Sequence, residues 1–275
     1  MSRSSKLSRF ASVIAKLFTA FVLIFMLLPL VAMLADSFAG SQSQILSFPP
    51  RGFSFSWYQA LFQDPQFIQG LQVSLILAFA ATLTSLLVAI AMVLALRRYS
   101  VRGASIIRSY ALSPLIVPEV VTGLAMLELF RVIGILGSLF SLYLAHVVIT
   151  LPFALRILEG TFTGIDVSLE DAAKTLGANE LQTFRRVTLH LIFSGVTASL
   201  IFGFIVSFND IAMTAFLTTG TLTTVSVVLF GWSTQLYTPI LASASGLITI
   251  ATFIFLLLID RTVGLDKATA FVAYR

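Results

Sequence analysis

Six times between Leu17 and Ile259 the sequence settles into an apolar run of about 20 residues, the length a helix needs to cross roughly 30 Å of hydrocarbon. The runs cover 17–35, 71–96, 106–130, 137–158, 191–208 and 240–259. The ten-residue alternation of a membrane barrel is absent, so each run must satisfy its backbone internally, as a helix. With only 11% charged residues and a mean hydropathy of +1.00, the chain falls outside the range of a soluble domain. The predicted fold class is an all-α polytopic membrane protein, one domain over 1–275 with six transmembrane helices. The lack of cysteine excludes a disulfide framework and thiolate metal sites.

The basic N-terminus precedes an apolar run longer than the 7 to 15 residues usual for a signal-peptide core, and no clean small-x-small cleavage site follows, so a retained first span is expected, kinked at Pro29. In the loop after it, Trp57, Tyr58, Leu61 and Phe62 share one side of a short helix. That pattern suits either the membrane surface or packing beneath the loop. With six spans, 15 of the 17 Lys and Arg fall on one side, and only Arg51 and Arg131 on the other. Positive charge marks the cytoplasmic side, so both termini are placed there. Basic residues spread over every cytoplasmic loop argue against nucleic acid as the partner, and make membrane lipid the expected one.

The segment 159–190 interrupts this pattern, being too long and too polar for a simple turn. Ser168 stands three residues before Asp171, and Asn179 three before Gln182, the spacing of two capping boxes, with Gly177 ending the first helix. Two short helices joined at Leu176–Asn179 are predicted. Ala172, Ala173, Gly177 and Ala178 leave backbone open to close approach, and Leu169, Leu176 and Leu181 offer apolar knobs, a surface suited to a groove on another protein.

These residues resemble the cytoplasmic motif of permease subunits of ATP-binding cassette (ABC) importers, E-A-A-x-x-x-G followed by I-x-L-P. The matching positions are Asp171, Ala172, Ala173 and Gly177, then Val187 and Leu189. His190 stands where the family carries proline, a departure that bears on the local backbone bend. The segments WYQALF, VPEVVTGL and SFNDIAMTAFLTTG are similar to the polyamine branch, whose relatives handle opines, other small amines, aminophosphonates or ferric iron. The resemblance implies a type I importer fold in a bacterial inner membrane. It also implies two ATP-binding subunits docked on Asp171, Ala172, Ala173, Leu176, Gly177, Val187 and Leu189. A second, homologous permease and an extracytoplasmic solute-binding protein complete the implied assembly. ATP and magnesium would belong to the ATPase partner, because this chain has no G-x-x-x-x-G-K-[ST] loop and is not itself the enzyme. No cofactor is expected in it.

For the solute pathway the candidates are Glu119, Asp210 and Asn209. Counted along a continuous helix from Arg108, Glu119 lies about 16 Å deep, where an ionisable residue faces a wet cavity or a partner. Flanked by Pro118 and Gly123, it marks a point where the helix is expected to open; a pathway role, a buried hydrogen-bonded or paired acid, and a register other than the one counted are the three readings that fit. Asp210 suits solute contact, a helix-end cap or a loop hydrogen bond, and Asn209 occupies a position where the polyamine branch often has a second acid. Glu128 and Arg131 are expected to form a surface ion pair. His146 and His190 lack neighbouring ligands in sequence, so no metal site is expected. Some of the 25 phenylalanines could line an amine pathway through cation–π contacts. Without a convincing internal repeat, an ion- or proton-coupled secondary transporter working without an ATPase is the rival reading. A membrane enzyme finds no nucleophile–base pair to support it.

Overall fold

The structure is a computed structural model that describes residues 2–40, 49–50, 52–166, 168–220, 222–235 and 239–263. The basic residues Arg51, Lys267 and Arg275 used in the charge count lie outside the described residues. Among the described residues the regular elements are all helices, joined by turns and short irregular stretches, with one isolated bridge between Thr219 and Leu222. In order the helices are α1 (Ser2–Asp36), α2 (Ser56–Gln63), α3 (Pro65–Arg98), α4 (Ala104–Leu112), α5 (Glu119–Val132) and α6 (Leu139–Thr163). There follow α7 (Ser168–Thr175), α8 (Glu180–Thr183), a π-turn over Phe184–Thr188, and α9 (Leu189–Leu191). The remainder are α10 (Phe193–Asn209), α11 (Thr214–Leu217), α12 (Val225–Gln235) and α13 (Pro239–Val263).

By length and composition three described helical stretches suffice to cross a membrane: Ser12–Asp36, Pro65–Arg98 and Leu139–Thr163. A fourth results if Glu180–Leu191 and Phe193–Asn209, bent by 70°, count as one span. The third expected span, 106–130, is not one helix. Pro114 and Pro118 break it into α4, a 3₁₀ turn at Ser113–Leu115, and α5. The depth assigned to Glu119 from a continuous helix therefore does not hold; Glu119 instead opens α5.

The chain divides into two units. In the first, residues 1–64 and 231–255, α1 runs through Pro29 and presents exposed apolar side chains from Val13 to Val31. Leu61 of α2 is buried, Phe62 is exposed, and the Tyr58 hydroxyl lies 2.8 Å from Ser37 Oγ. Ser243 of α13 donates to the Ser37 carbonyl at 3.0 Å.

The second unit, residues 65–230 and 256–275, is built on α3, α6 and α10. Between membrane helices there is little hydrophobic drive to associate, so close packing of small residues must supply the attraction. Here α10 buries Gly195, Ser199, Gly203 and Ser207, one every four residues and hence on one stripe. Ser74, Ala78, Ala81, Thr82, Ser85 and Ala89 are buried on α3. A methyl added to Gly195 would fall 2.8 Å from Thr161 Cβ of α6, and one added to Gly203 would fall 2.7 Å from Thr82 Cγ2 of α3. Larger layers close the two ends of this trio. Leu86, Val93, Leu155, Leu158, Phe162 and Ile192 fill one, and Leu77, Phe130, Leu142, Ile149, Met213 and Leu217 the other.

Candidate functional site: the polar segment and the broken helices

The polar segment folds as two short helices, though not with both expected caps. Ser168 is already helical, and its backbone N–H donates to Asp166 Oδ1 at 2.9 Å, so Asp166 and not Ser168 supplies the side-chain acceptor at this helix start. This bond and the one with the Ser168 hydroxyl hold the Asp166 pKa below the usual carboxylate value. The second cap is complete, with Gln182 N–H on Asn179 Oδ1 at 2.8 Å and Asn179 N–H on Gln182 Oε1 at 3.0 Å.

Between the helices, Gly177 adopts φ +89°. Its N–H donates to the Lys174 carbonyl at 2.9 Å and Ala178 N–H to the Ala173 carbonyl at 3.1 Å, the paired bonds of a Schellman motif. The turn is therefore fixed by backbone bonds, and it carries Leu176 at 90% exposure. An isolated leucine this exposed at the tip of a tightly bonded turn is an apolar knob without a hole in its own chain.

The seven motif residues divide by environment. Asp171, Ala172, Leu176 and Gly177 are exposed, whereas Ala173, Val187 and Leu189 are half-buried. Leu189 packs on the layer containing Leu158 and Ile192, so it fixes the segment from behind. The bend into α10 falls at Ile192 (φ −92°, ψ 4°) with His190 in place of proline. Full burial of Ile192, and Gly195 against Thr161, hold a bend for which no proline ring is needed.

Charged side chains join the segment to the helices. Arg98 at the end of α3 meets Glu170 and Glu180, each at 2.9 Å, and Lys174 meets Glu180 at 2.7 Å. Burial acts to raise the Glu170 pKa; hydrogen bonds from Thr188 and Arg98, with the nearby guanidinium charges, outweigh it and hold the pKa below the usual glutamate value. On the neighbouring helices Arg108 of α4 pairs with Glu159 of α6 at 2.6 Å. Glu170 and Arg98 did not stand out in the sequence, where Glu170 is one acid among several and Arg98 one of many basic residues.

The second region lies where α5 and α11 begin. Glu119 is exposed in the first turn of α5, where a carboxylate complements the helix dipole. One turn on, Gly123 lets α5 approach the Met213 backbone and Phe216; a methyl there would lie 3.0 Å from Met213 Cα. That approach brings Glu119 within electrostatic range of Asp210.

Asp210 itself is only 7% exposed. Its Oδ2 accepts the N–H of Thr214, the first residue of α11, at 2.9 Å and also the Thr214 hydroxyl. Because the Thr214 proton goes to Asp210, its oxygen accepts from His146 Nε2, 3.1 Å away, and His146 Nδ1 then accepts from Ser207 at 2.7 Å. His146 is thereby fully used in joining α6, α10 and α11. Asn209 is exposed, with its amide donating to the Ile205 carbonyl at 2.9 Å. The expected Glu128–Arg131 pair is present at 2.7 Å, largely solvated. Among the described residues, no three His, Cys, Asp or Glu side chains cluster as metal ligands would.

No family model matches the chain. It is 32% identical over 166 residues to the spermidine/putrescine transport system permease protein PotC of Haemophilus influenzae, covering 60% of this chain and 65% of that protein. The protein of the same name from Escherichia coli is 30% identical over 195 residues, 70% of this chain and 72% of that one. Among solved structures, a bacterial ABC transporter that imports the acidic polysaccharide alginate superposes with a TM-score of 0.75 at 18% identity, covering 96% of this chain and 99% of that chain. The alginate transporter in complex with its alginate pentasaccharide-bound periplasmic protein gives 0.69 at 16% identity, covering 96% and 98%. The chain belongs to the family of ABC importer permease subunits that includes the spermidine/putrescine permeases.

Proposed function

We propose that this chain is a pore-forming subunit of a bacterial inner-membrane importer, moving a small amine of the polyamine class by ATP-driven alternating access. The exposed Leu176, held on the Schellman turn at Gly177, carries this reading, because a rigid apolar knob on a cytoplasmic segment needs a partner. The partners are two ATP-binding subunits, which hold ATP and magnesium, a second homologous permease, and an extracytoplasmic binding protein. Asp171, Ala172, Leu176 and Gly177 meet the ATPase, while Ala173, Val187 and Leu189 set the position of that face. ATP binding then shifts the population between inward- and outward-facing arrangements of the permease pair.

Six spans with both termini cytoplasmic remain our topology, the third being the broken pair α4 and α5. Irregular backbone at membrane depth is stable where it is enclosed by protein or lines a wet cavity, so the break beside Glu119 suits a solute path. In this reading Glu119 and Asn209 face the solute, and the buried Asp210 adds negative potential from behind. Family membership favours this over a secondary transporter.

The solute carried by the cognate binding protein tests the substrate class: a polyamine or related amine is expected, and an anionic solute would overturn it. In vesicles containing the complete transporter, Glu119→Gln should slow spermidine uptake about tenfold, the loss of one charge-assisted contact. Assembly should be unaffected. Uptake at the unaltered rate would remove Glu119 from the path.

A further inference from the structure

Two consecutive arginines end α3 and reach in different directions. Arg97 donates from Nη1 to the Phe162 carbonyl at 3.0 Å and from Nη2 to the Ile165 carbonyl at 2.7 Å, securing the end of α6. Its guanidinium carbon also lies 5.4 Å from the centre of the Phe162 ring. Arg98 reaches the polar segment, and its two terminal nitrogens divide between Glu170 of α7 and Glu180 of α8. These two acids stand on opposite sides of the Leu176–Asn179 turn. One guanidinium thus spans the base of the tip from which Leu176 projects.

The remaining oxygens of both acids are also engaged. Thr188 donates its hydroxyl to Glu170 Oε1 at 2.8 Å, and Lys174 Nζ lies 2.7 Å from Glu180 Oε1. The two limbs differ in solvation. Side-chain exposure is 25% for Arg98 and 10% for Glu170, but 66% for Glu180. Water screens the Glu180 limb, whereas the Glu170 limb is shielded and held by two donors. The principal packing neighbours of α7 are α8 and the π-turn. A displacement of the tip therefore reaches α3 through the Arg98–Glu170 bond.

We propose that Arg98, with Glu170, is the positioning residue that passes movement of the turn to α3, and that its loss uncouples ATP hydrolysis from transport. This rests on the reading of the turn as the ATPase docking face. Unlike the docking residues, Arg98 acts after docking, so the two roles separate experimentally.

The test uses the complete transporter in vesicles, with ATP hydrolysis and radiolabelled spermidine uptake measured together and the ATPase content determined by gel. Arg98→Gln and Glu170→Gln should keep the ATPase subunits bound and hydrolysing, while uptake per ATP falls at least about fivefold. Arg98→Lys, which restores a single charge, should recover part of the loss, and Glu180→Gln should change the ratio less than about twofold. A normal ratio in both Arg98→Gln and Glu170→Gln would overturn the transmission role alone, as would uptake and hydrolysis falling in proportion. An unaltered chain that retains no ATPase would overturn the docking reading, and the proposal with it.

Discussion

Leu176→Asp is expected to strip the ATPase subunits from the transporter while leaving the chain in the membrane at its normal level. At 90% exposure Leu176 contributes almost nothing to the packing of its own chain, so a polar replacement has little to disturb there. Seated in a partner's pocket the same side chain is a hot spot, and an aspartate would be desolvated without a counter-charge. A loss of about 2 kcal/mol or more follows, roughly thirtyfold in affinity. Gly177→Asp should act in the same direction by two routes. No atom lies within 4 Å of the position its Cβ would take, so nothing in the chain itself obstructs it. The left-handed φ of +89° disfavours any side chain, and the new charge would meet the partner's surface. Gly177→Asn, which tolerates that backbone conformation and brings no charge, is the control and should retain more ATPase than Gly177→Asp. Co-purification in mild detergent reads both; full ATPase recovery in Leu176→Asp would remove the tip from the interface.

The second large effect is on folding. Gly195→Leu should drive most of the chain out of the membrane fraction, and Gly195→Ala should lower its thermal stability in detergent, because an added methyl already presses on Thr161 Cβ at 2.8 Å. Overpacking of this kind costs about 1–3 kcal/mol for the smaller change and more for leucine. The control is Gly160 of α6, where a methyl meets no atom within 4 Å; Gly160→Ala should be neutral or stabilise by up to about 1 kcal/mol. Equal melting temperatures for Gly195→Ala and the unaltered chain would show that α6 and α10 do not depend on this close approach.

The sequence and the structure agree most closely where one local rule acts alone. Asn179 and Gln182 are three residues apart and form the capping box that spacing requires; Gly177 ends its helix as glycine does; Glu128 and Arg131 pair across one turn. Ser168 and Asp171 have the same spacing and do not form a box, because Asp166 reaches the first free N–H sooner. The break between α4 and α5 was legible at Glu119 from Pro118, but its extent also depends on Pro114 and on the packing of Gly123 against Met213. The contacts of Arg98 with Glu170, and of His146 with Thr214, join residues 72 and 68 positions apart. No periodicity reports such pairs. The 70° bend shows the same limit in reverse, since the position of a missing proline says little once Ile192 and Gly195 are locked by their neighbours.

The central claim is that a separate ATPase acts through this chain. Vesicles holding the complete transporter, with the binding protein outside and ATP supplied to the ATPase side, test it most directly by radiolabelled spermidine uptake. Uptake that requires ATP and persists when ion gradients are collapsed is the expected result. Uptake by this chain alone, driven by an ion gradient without ATP, would contradict it.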